Sequence, residues 1–399
     1  MISVSQAEAL IAEHLPAVGS ERVALARAAG RILRQPVRAE TDLPPFDRVT
    51  MDGIAIRCSD PLPEHFVVAG EQMAGMAPGA AAVKDPRECV VVATGAVVPG
   101  GCDGVIPVER TRREGDRIRL EPGYRPERGQ FIHARGSDCL AGQEILAPGV
   151  RLGPAQMTQL ASHGYGQVEV AALPSIAFVN TGDELLAPEA PLRAGSIRRS
   201  NDTAVGSALS LHGFDDLEVR HVADDPAAAR DLLGQLLETR DVLILSGGVS
   251  MGQRDFVPGV LESLGVKCLF HRIAQRPGKP MWFGLGPRRQ AVFALPGNPV
   301  SALVCAVRYV RPALLEAQGL APAPLVHACL AQPLAPHPEL TRFVPVRLVH
   351  GLDGRTLAEP VATHTSGDFT AIAHTDGFVQ LAPGSGDLPA GSRLPLYGW

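Results

Sequence analysis

Ser175-Ile176-Ala177-Phe178-Val179-Asn180, with the loop Thr181-Gly182-Asp183-Glu184 behind it, decides the fold. The run is apolar and only one strand long, the pattern of a strand covered on both faces. The same unit recurs twice. Asp241-Val242-Leu243-Ile244-Leu245 leads into Ser246-Gly247-Gly248-Val249-Ser250, and Gln290-Ala291-Val292-Phe293-Ala294-Leu295 leads into Pro296-Gly297-Asn298-Pro299. Helical spacing fills the gaps. Asp225-Pro226 form an N-cap and first-turn pair ahead of Leu232, Leu233, Leu236 and Leu237, and Asn298-Pro299 play the same parts ahead of Val300, Leu303, Val304 and Val307. Strands alternating with helices predict an α/β domain with a parallel-rich sheet. In such a sheet all three loops emerge at the strands' carboxyl ends and line one crevice.

Outward from this core the texture changes. Ser5-Gln6-Ala7-Glu8 reads as a capping box opening a helix with Leu10, Ile11 and Leu15 on its apolar side, and Ala24 to Leu33 reads as a second helix. Thr41-Asp42-Leu43-Pro44-Pro45-Phe46 stops any continuation. From Met51 to Ser137 short β-like runs such as Phe66-Val67-Val68-Ala69 and Cys89-Val90-Val91-Val92-Ala93 are punctuated by Gly and Pro, and Leu152 to Leu160 returns to a helical pattern. Beyond about Leu320, alternation as in Arg342-Phe343-Val344-Pro345-Val346-Arg347-Leu348 predicts a small β-barrel or sandwich. The expected multidomain α/β plus β organisation has four parts: a helical and extended linking domain (1–45 with 139–173), an inserted β domain (46–138), the α/β domain (174–319) and a C-terminal β-barrel-like domain (320–399).

Composition narrows the classes of function. With 45% hydrophobic and 20% charged residues the chain is globular, and a net charge of −5 gives no electrostatic reason to bind nucleic acid or an acidic membrane. Seven scattered Cys lack the close pairs of a zinc site and fit a reducing, cytoplasmic compartment. No apolar run reaches membrane-spanning length, and the amino terminus lacks the basic-then-apolar pattern of a signal peptide.

The loops carry the chemistry. Backbone N–H groups of Gly247, Gly248 and Gly297, set at helix N-termini, suit phosphate oxygens. Asp183, Glu184 and Asp255 are expected beside them, where each close carboxylate would repel a phosphate by about 4 kcal/mol at an effective dielectric of ~20. Mg²⁺ bridging carboxylates and phosphates removes that conflict. Capping alone would explain Asp225 before its helix and Asp255 before Phe256, Val260, Leu261 and Leu264, and Asp224 and Asp202 carry less signal still. Upstream of the third loop, His271-Arg272-Ile273-Ala274-Gln275-Arg276-Pro277-Gly278-Lys279-Pro280 places three cations on a backbone stiffened by Pro and Gly, suited to an oxyanion. Ser246, Ser250 and Cys305 have no base partner in sequence, which disfavours a covalent nucleophile.

Taken in order, Phe46-Asp47, Met51-Asp52-Gly53, Thr94-Gly95-Ala96, Thr181-Gly182-Asp183-Glu184-Leu185, Ser246-Gly247-Gly248-Val249-Ser250, Pro277-Gly278-Lys279-Pro280 and Leu295-Pro296-Gly297-Asn298-Pro299-Val300-Ser301 resemble the MoeA and gephyrin E-domain family, end to end. The resemblance implies insertion of molybdenum from molybdate into adenylylated molybdopterin, with Mg²⁺-dependent release of AMP. It also implies a homodimer whose site forms between the α/β domain of one subunit and the β domains of the other, with a molybdopterin adenylyltransferase and recipient molybdoenzymes as further partners. By the same resemblance Asp52, Thr94, Asp138, Glu184, Asp225 and Asp255 are the catalytic positions, with Glu184 and Asp255 holding Mg²⁺. Thr181, Gly182, Asp183, Ser246, Gly247, Gly248, Ser250 and Pro296 to Pro299 would cradle the pterin nucleotide. Arg272, Arg276, Lys279, Arg342 and Ser366 are the candidates for molybdate.

The chain departs from the family's pattern at two places. Arg272 and Arg276 stand where lysines are common, and Arg48-Val49-Thr50 replaces small polar residues ahead of the Met51-Asp52-Gly53 element. Arg prefers bidentate contacts, so the first change alters an anion pocket rather than conserving it. Two rival functions share parts of the pattern: a molybdopterin adenylyltransferase or nucleotide pyrophosphatase on the same α/β domain, and a non-catalytic gephyrin-like scaffold. The Met51-Asp52-Gly53 and Thr94-Gly95-Ala96 elements and the last β domain argue against the first, and Glu184, Asp255 and the cationic segment against the second.

Overall fold

A computed structural model describes every residue except 250–255, 352–353 and 363–367. The chain divides into two compact units. One comprises Met1–Gln35, Pro148–Gly153 and Gln167–Trp399, the other Pro36–Ala147 and Pro154–Gly166.

The larger unit is built on the sheet foreseen from the three apolar runs. Its strands are ordered Leu217–Val222, Ile176–Thr181, Val242–Ser246, Ala291–Leu295, Trp282–Leu285 and Lys267–His271. The first four are parallel and the last two antiparallel. Every residue of the three central strands is buried, because alternate side chains enter cores on opposite faces. Ile176, Phe178, Ile244 and Phe293 face the helices Asn201–Ser210 and Pro299–Cys305 and the amino-terminal helix. Ala177, Val179, Leu243, Leu245 and Val292 face Pro226–Thr239 and Val257–Ser263. Both sides therefore take about 25 cal/mol per Å² of apolar burial, and no strand of this group needs a polar face.

In the same unit His327–Leu330, Thr341–His350, Thr356–Pro360, Arg393–Gly398 and Gly377–Leu381 pair in a ring, the last joining Thr341–His350 again, so five strands close a barrel. Val344, Val346, Ala358, Val379 and Leu381 are in its core. Gln275–Arg276 adds to the outside of this ring in parallel, with Gln275 opposite Thr341 and Arg276 opposite Arg342.

The smaller unit carries a six-stranded sheet ordered Gly104–Pro107, Gly53–Ile56, Glu88–Val92, His65–Gln72, Arg117–Leu120 and Thr111–Glu114. Its two faces are filled by Ala55, Val90 and Val105 on one side and Ile54, Phe66 and Ile106 on the other.

Two local expectations are corrected. The capping box belongs to Ser3 and Gln6 rather than Ser5: Gln6 N–H donates to Ser3 Oγ at 3.2 Å, Ser3 N–H donates to Gln6 Oε1 at 2.9 Å, and the helix runs Val4–Glu13. The same spacing fits two residues earlier because there Val4, Ala7 and Ile11 reach the core. Ala24 to Leu33 is no helix. Ser20–Ala24 pairs antiparallel with Gln167–Ala171, a partner far along the chain, and only a short 3₁₀ turn, Leu25–Arg27, follows. Long-range pairing here overrides helix propensity.

Candidate active site

Parallel register brings the three loops together. Asn180 lies opposite Ser246, and Ser246 opposite Leu295, so Thr181-Gly182, Gly247-Gly248 and Pro296-Gly297 leave the sheet at one level. They open a cleft of about 1020 Å³ whose walls include Thr181, Gly182, Glu184, Ser246, Gly247 and Gly248. Pro296, Gly297, Asn298 and Pro299 complete the third wall.

The first two loops leave little room at their glycines. Gly247 has φ +99°, and a Cβ there would come within 2.6 Å of both the Thr181 carbonyl oxygen and Thr181 Oγ1. Gly247 N–H donates to the Leu295 carbonyl at 3.4 Å, so this amide serves the sheet rather than a ligand. The Glu184 carboxylate lies over the loop, its oxygens 2.6 and 2.9 Å from where a Cβ on Gly182 would stand, and Glu184 is on the cleft wall.

Asn201, 8% exposed, ties the loops to one another. Its Nδ2 donates to Ser246 Oγ and to the Gly297 carbonyl, both at 2.7 Å. The carbonyl only accepts, so the amide's orientation is set. Sequence reasoning did not single out Asn201. The signal was present in Ser200-Asn201-Asp202 ahead of the apolar positions Val205, Ala208 and Leu209, which places a helix N-terminus beside the crevice. Arg198, Arg199, Asp224, Leu192 and Phe369 also line the cleft and were not anticipated there. Arg199 Nε lies 3.1 Å from Asp202 Oδ2.

Other nominated residues sit elsewhere. Asp183 Oδ1 accepts the Asp224 N–H at 3.0 Å and is not on the cleft wall. Asp225 caps its helix, accepting from Ala227 N at 2.9 Å and Ala228 N at 3.4 Å. Ser250, Asp255 and Ser366 lie outside the described residues. Arg276 and Arg342 share a second cleft of about 600 Å³ against the barrel, with His337 and Pro277. They are opposite one another in the ladder, and like charges so placed repel unless an anion or a backbone acceptor intervenes. Arg342 meets such an acceptor in the Ala335 carbonyl. Arg272 and Lys279 line neither cleft, and Arg272 is a non-glycine residue with φ +75°.

In the smaller unit, Asp52 Oδ1 accepts the Thr94 N–H at 2.6 Å. That bond, then the Thr94 side chain, holds the Asp52 carboxyl below the usual carboxylate range. Asp138 Oδ1 pairs with His133 Nε2 at 2.7 Å. Both sites hang on one short strand, Arg48–Val49. Val49 exchanges backbone bonds with the Gly95-Ala96 turn, and Arg48–Val49 pairs with Ile132–His133.

Among the described residues no three His, Cys, Asp or Glu side chains gather as a metal site. The carboxylates on the wall, Glu184 and Asp224, suit an ion that keeps its other ligands from phosphate and water, as Mg²⁺ does. No helix among the described residues is long and apolar enough to cross a membrane.

Comparison with known proteins agrees across the whole chain. The family model described as MoeA N-terminal region (domain I and II) matches residues 2–164, that for a probable molybdopterin binding domain 177–316, and that for MoeA C-terminal region (domain IV) 327–399. A protein of Synechocystis sp. named molybdopterin molybdenumtransferase is 36% identical over 403 residues, covering 100% of both chains. One of the same name from Bacillus subtilis is 31% identical over 389 residues, 94% of this chain and 89% of the relative. A crystal structure of a molybdopterin biosynthesis MoeA protein from Pyrococcus horikoshii superimposes with a TM-score of 0.78 at 28% identity, covering 100% of each chain.

Proposed function

The chain belongs to the MoeA family of molybdopterin molybdenumtransferases, and from that premise we propose how its residues divide the work. It is an enzyme of molybdenum cofactor biosynthesis that inserts molybdenum. Its pterin substrate is the adenylylated form, molybdate is the metal source, and AMP is released in the cytoplasm by a homodimer.

The observation that carries this reading is the 1020 Å³ cleft, where three loops converge with the Glu184 carboxylate on the wall. It is large enough for a pterin nucleotide. The backbone around Gly248 and Gly297 and the guanidinium groups of Arg198 and Arg199 receive the diphosphate, while Asn201 holds the Ser246 and Gly297 loops at fixed separation. Glu184, with Asp255, would hold Mg²⁺ together with substrate oxygens. When bound, that ion offsets charge on the leaving AMP phosphate. Arg276 and Arg342, neighbours in the ladder, bind the dianionic molybdate, with Ser366 as the remaining candidate, since Arg272 and Lys279 line neither cleft. Asp52, Thr94 and Asp138 are the remaining catalytic candidates, with Asp52 and Thr94 reaching across from the partner subunit.

The test is AMP release from adenylylated molybdopterin with and without molybdate, Mg²⁺ present in both. Release only with molybdate is expected. Equal release without it would identify a pyrophosphatase and end the proposal.

A further inference from the structure

We infer that His133, held by Arg48, is a positioning residue that aims the Asp138 carboxylate at the substrate. This rests on the reading above that Asp138 belongs to the catalytic set. Arg48 Nη2 lies 3.0 Å from His133 Nδ1, and His133 Nε2 lies 2.7 Å from Asp138 Oδ1. A guanidinium group only donates, so Nδ1 must accept, the ring proton sits on Nε2, and Nε2–H donates to Asp138. Direction therefore runs one way along the chain, from Arg48 through the imidazole to the carboxylate.

The backbone enforces this order. Arg48 and His133 are opposite residues of one antiparallel pair, so their side chains leave the same face. Ser137 Oγ donates to the same Asp138 oxygen at 3.5 Å. Among the described residues, both side-chain bonds to the carboxylate fall on Oδ1, and the Asp138 side chain is 55% exposed. The flanking charges are committed elsewhere: Asp47 accepts the Arg135 N–H at 2.8 Å, and Arg135 Nε donates to Asp42 Oδ2 at 2.8 Å. Arg48, a departure from the family's small polar residues, thereby acquires a task that a small residue cannot perform at that distance.

The experiment measures kcat and KM for molybdate-dependent AMP release by the full-length protein carrying His133→Leu, His133→Gln, Arg48→Met or Asp138→Asn. We expect His133→Leu to lower kcat roughly tenfold with KM changed less than about twofold, since misaimed groups lose rate before binding. His133→Gln, which keeps an N–H donor, should recover most of that loss. Arg48→Met should fall between, and because Arg48 itself is exposed it tests the chain even if His133→Leu folds poorly. Wild-type kcat in both His133→Leu and Arg48→Met beside a damaged Asp138→Asn would overturn the inference alone. Wild-type kcat in Asp138→Asn would overturn both the inference and the assignment of Asp138.

Discussion

The two clefts of the larger unit are built by different means. The one at the sheet's carboxyl edge has its floor made of backbone, with Gly247 against Thr181, Gly182 under Glu184 and Asn201 bridging Ser246 to Gly297, and carries Arg198 and Arg199 on its wall. The one against the barrel is made of side chains, with Arg276 and Arg342 brought together by a strand ladder. A backbone cradle tolerates almost no change of residue but is indifferent to which anion fills it. A pair of long cations tolerates change of residue and discriminates among anions by reach and fork geometry. On the proposed division of work, the first cleft takes the common nucleotide features and the second the choice of oxyanion.

The strongest way to break this contrast is Glu184→Gln, expected to lower AMP release by about two orders of magnitude with little change in substrate KM, as for loss of a group acting mainly in the transition state. Steady-state kinetics at saturating Mg²⁺ check it, and a pure KM effect would make Glu184 a binding group only. Next comes Gly247→Ala, which forces a Cβ into Thr181 and a positive φ on alanine. A loss of about 1–3 kcal/mol in urea unfolding is expected, together with loss of nucleotide binding by calorimetry. In the side-chain cleft the effects are milder. Arg276→Lys and Arg342→Met should raise the molybdate concentration for half-saturation roughly tenfold while leaving nucleotide affinity unchanged, and Arg272→Lys, outside both clefts, should leave molybdate saturation unchanged.

The smallest effect sharpens the contrast by supplying a control distant in chemistry from both clefts. Burial, then Arg311 and Arg151, pushes His212 from 6.5 down to about 4. The unfolded chain therefore binds the proton first as pH falls, so stability is complete above about 6.5 and is lost between there and about 4. With the ring half-buried, solvent screening reduces the loss to about 1 kcal/mol or less. His212→Gln should flatten the unfolding midpoint across that window without altering turnover at pH 7.

The sheet was legible because Ile176–Thr181, Val242–Ser246 and Ala291–Leu295 are apolar at consecutive positions, a pattern fixed by burial on both faces. Its loops were legible for the same reason, since the carboxyl edge of a parallel sheet gathers them. Ser20–Ala24 was not, because its partner Gln167–Ala171 lies more than a hundred residues away and no local pattern marks it. Asn201 and Arg198 escaped notice because their place depends on where a helix begins in space, and nothing in their own neighbourhood states what they face. Asp225 shows the reverse limit. Its capping bonds satisfy the local pattern completely, and the structure puts it to that use.

The hydrogen-bonded register of Gln275–Arg276 against Thr341–Arg342 has a consequence for inheritance. A recombinant that takes its barrel from one homologue and the preceding segment from another would have to preserve that alignment residue for residue, because a slip of one position sends one cation to the opposite face. The two stretches, some 65 positions apart in the gene, should therefore be exchanged between lineages together or not at all.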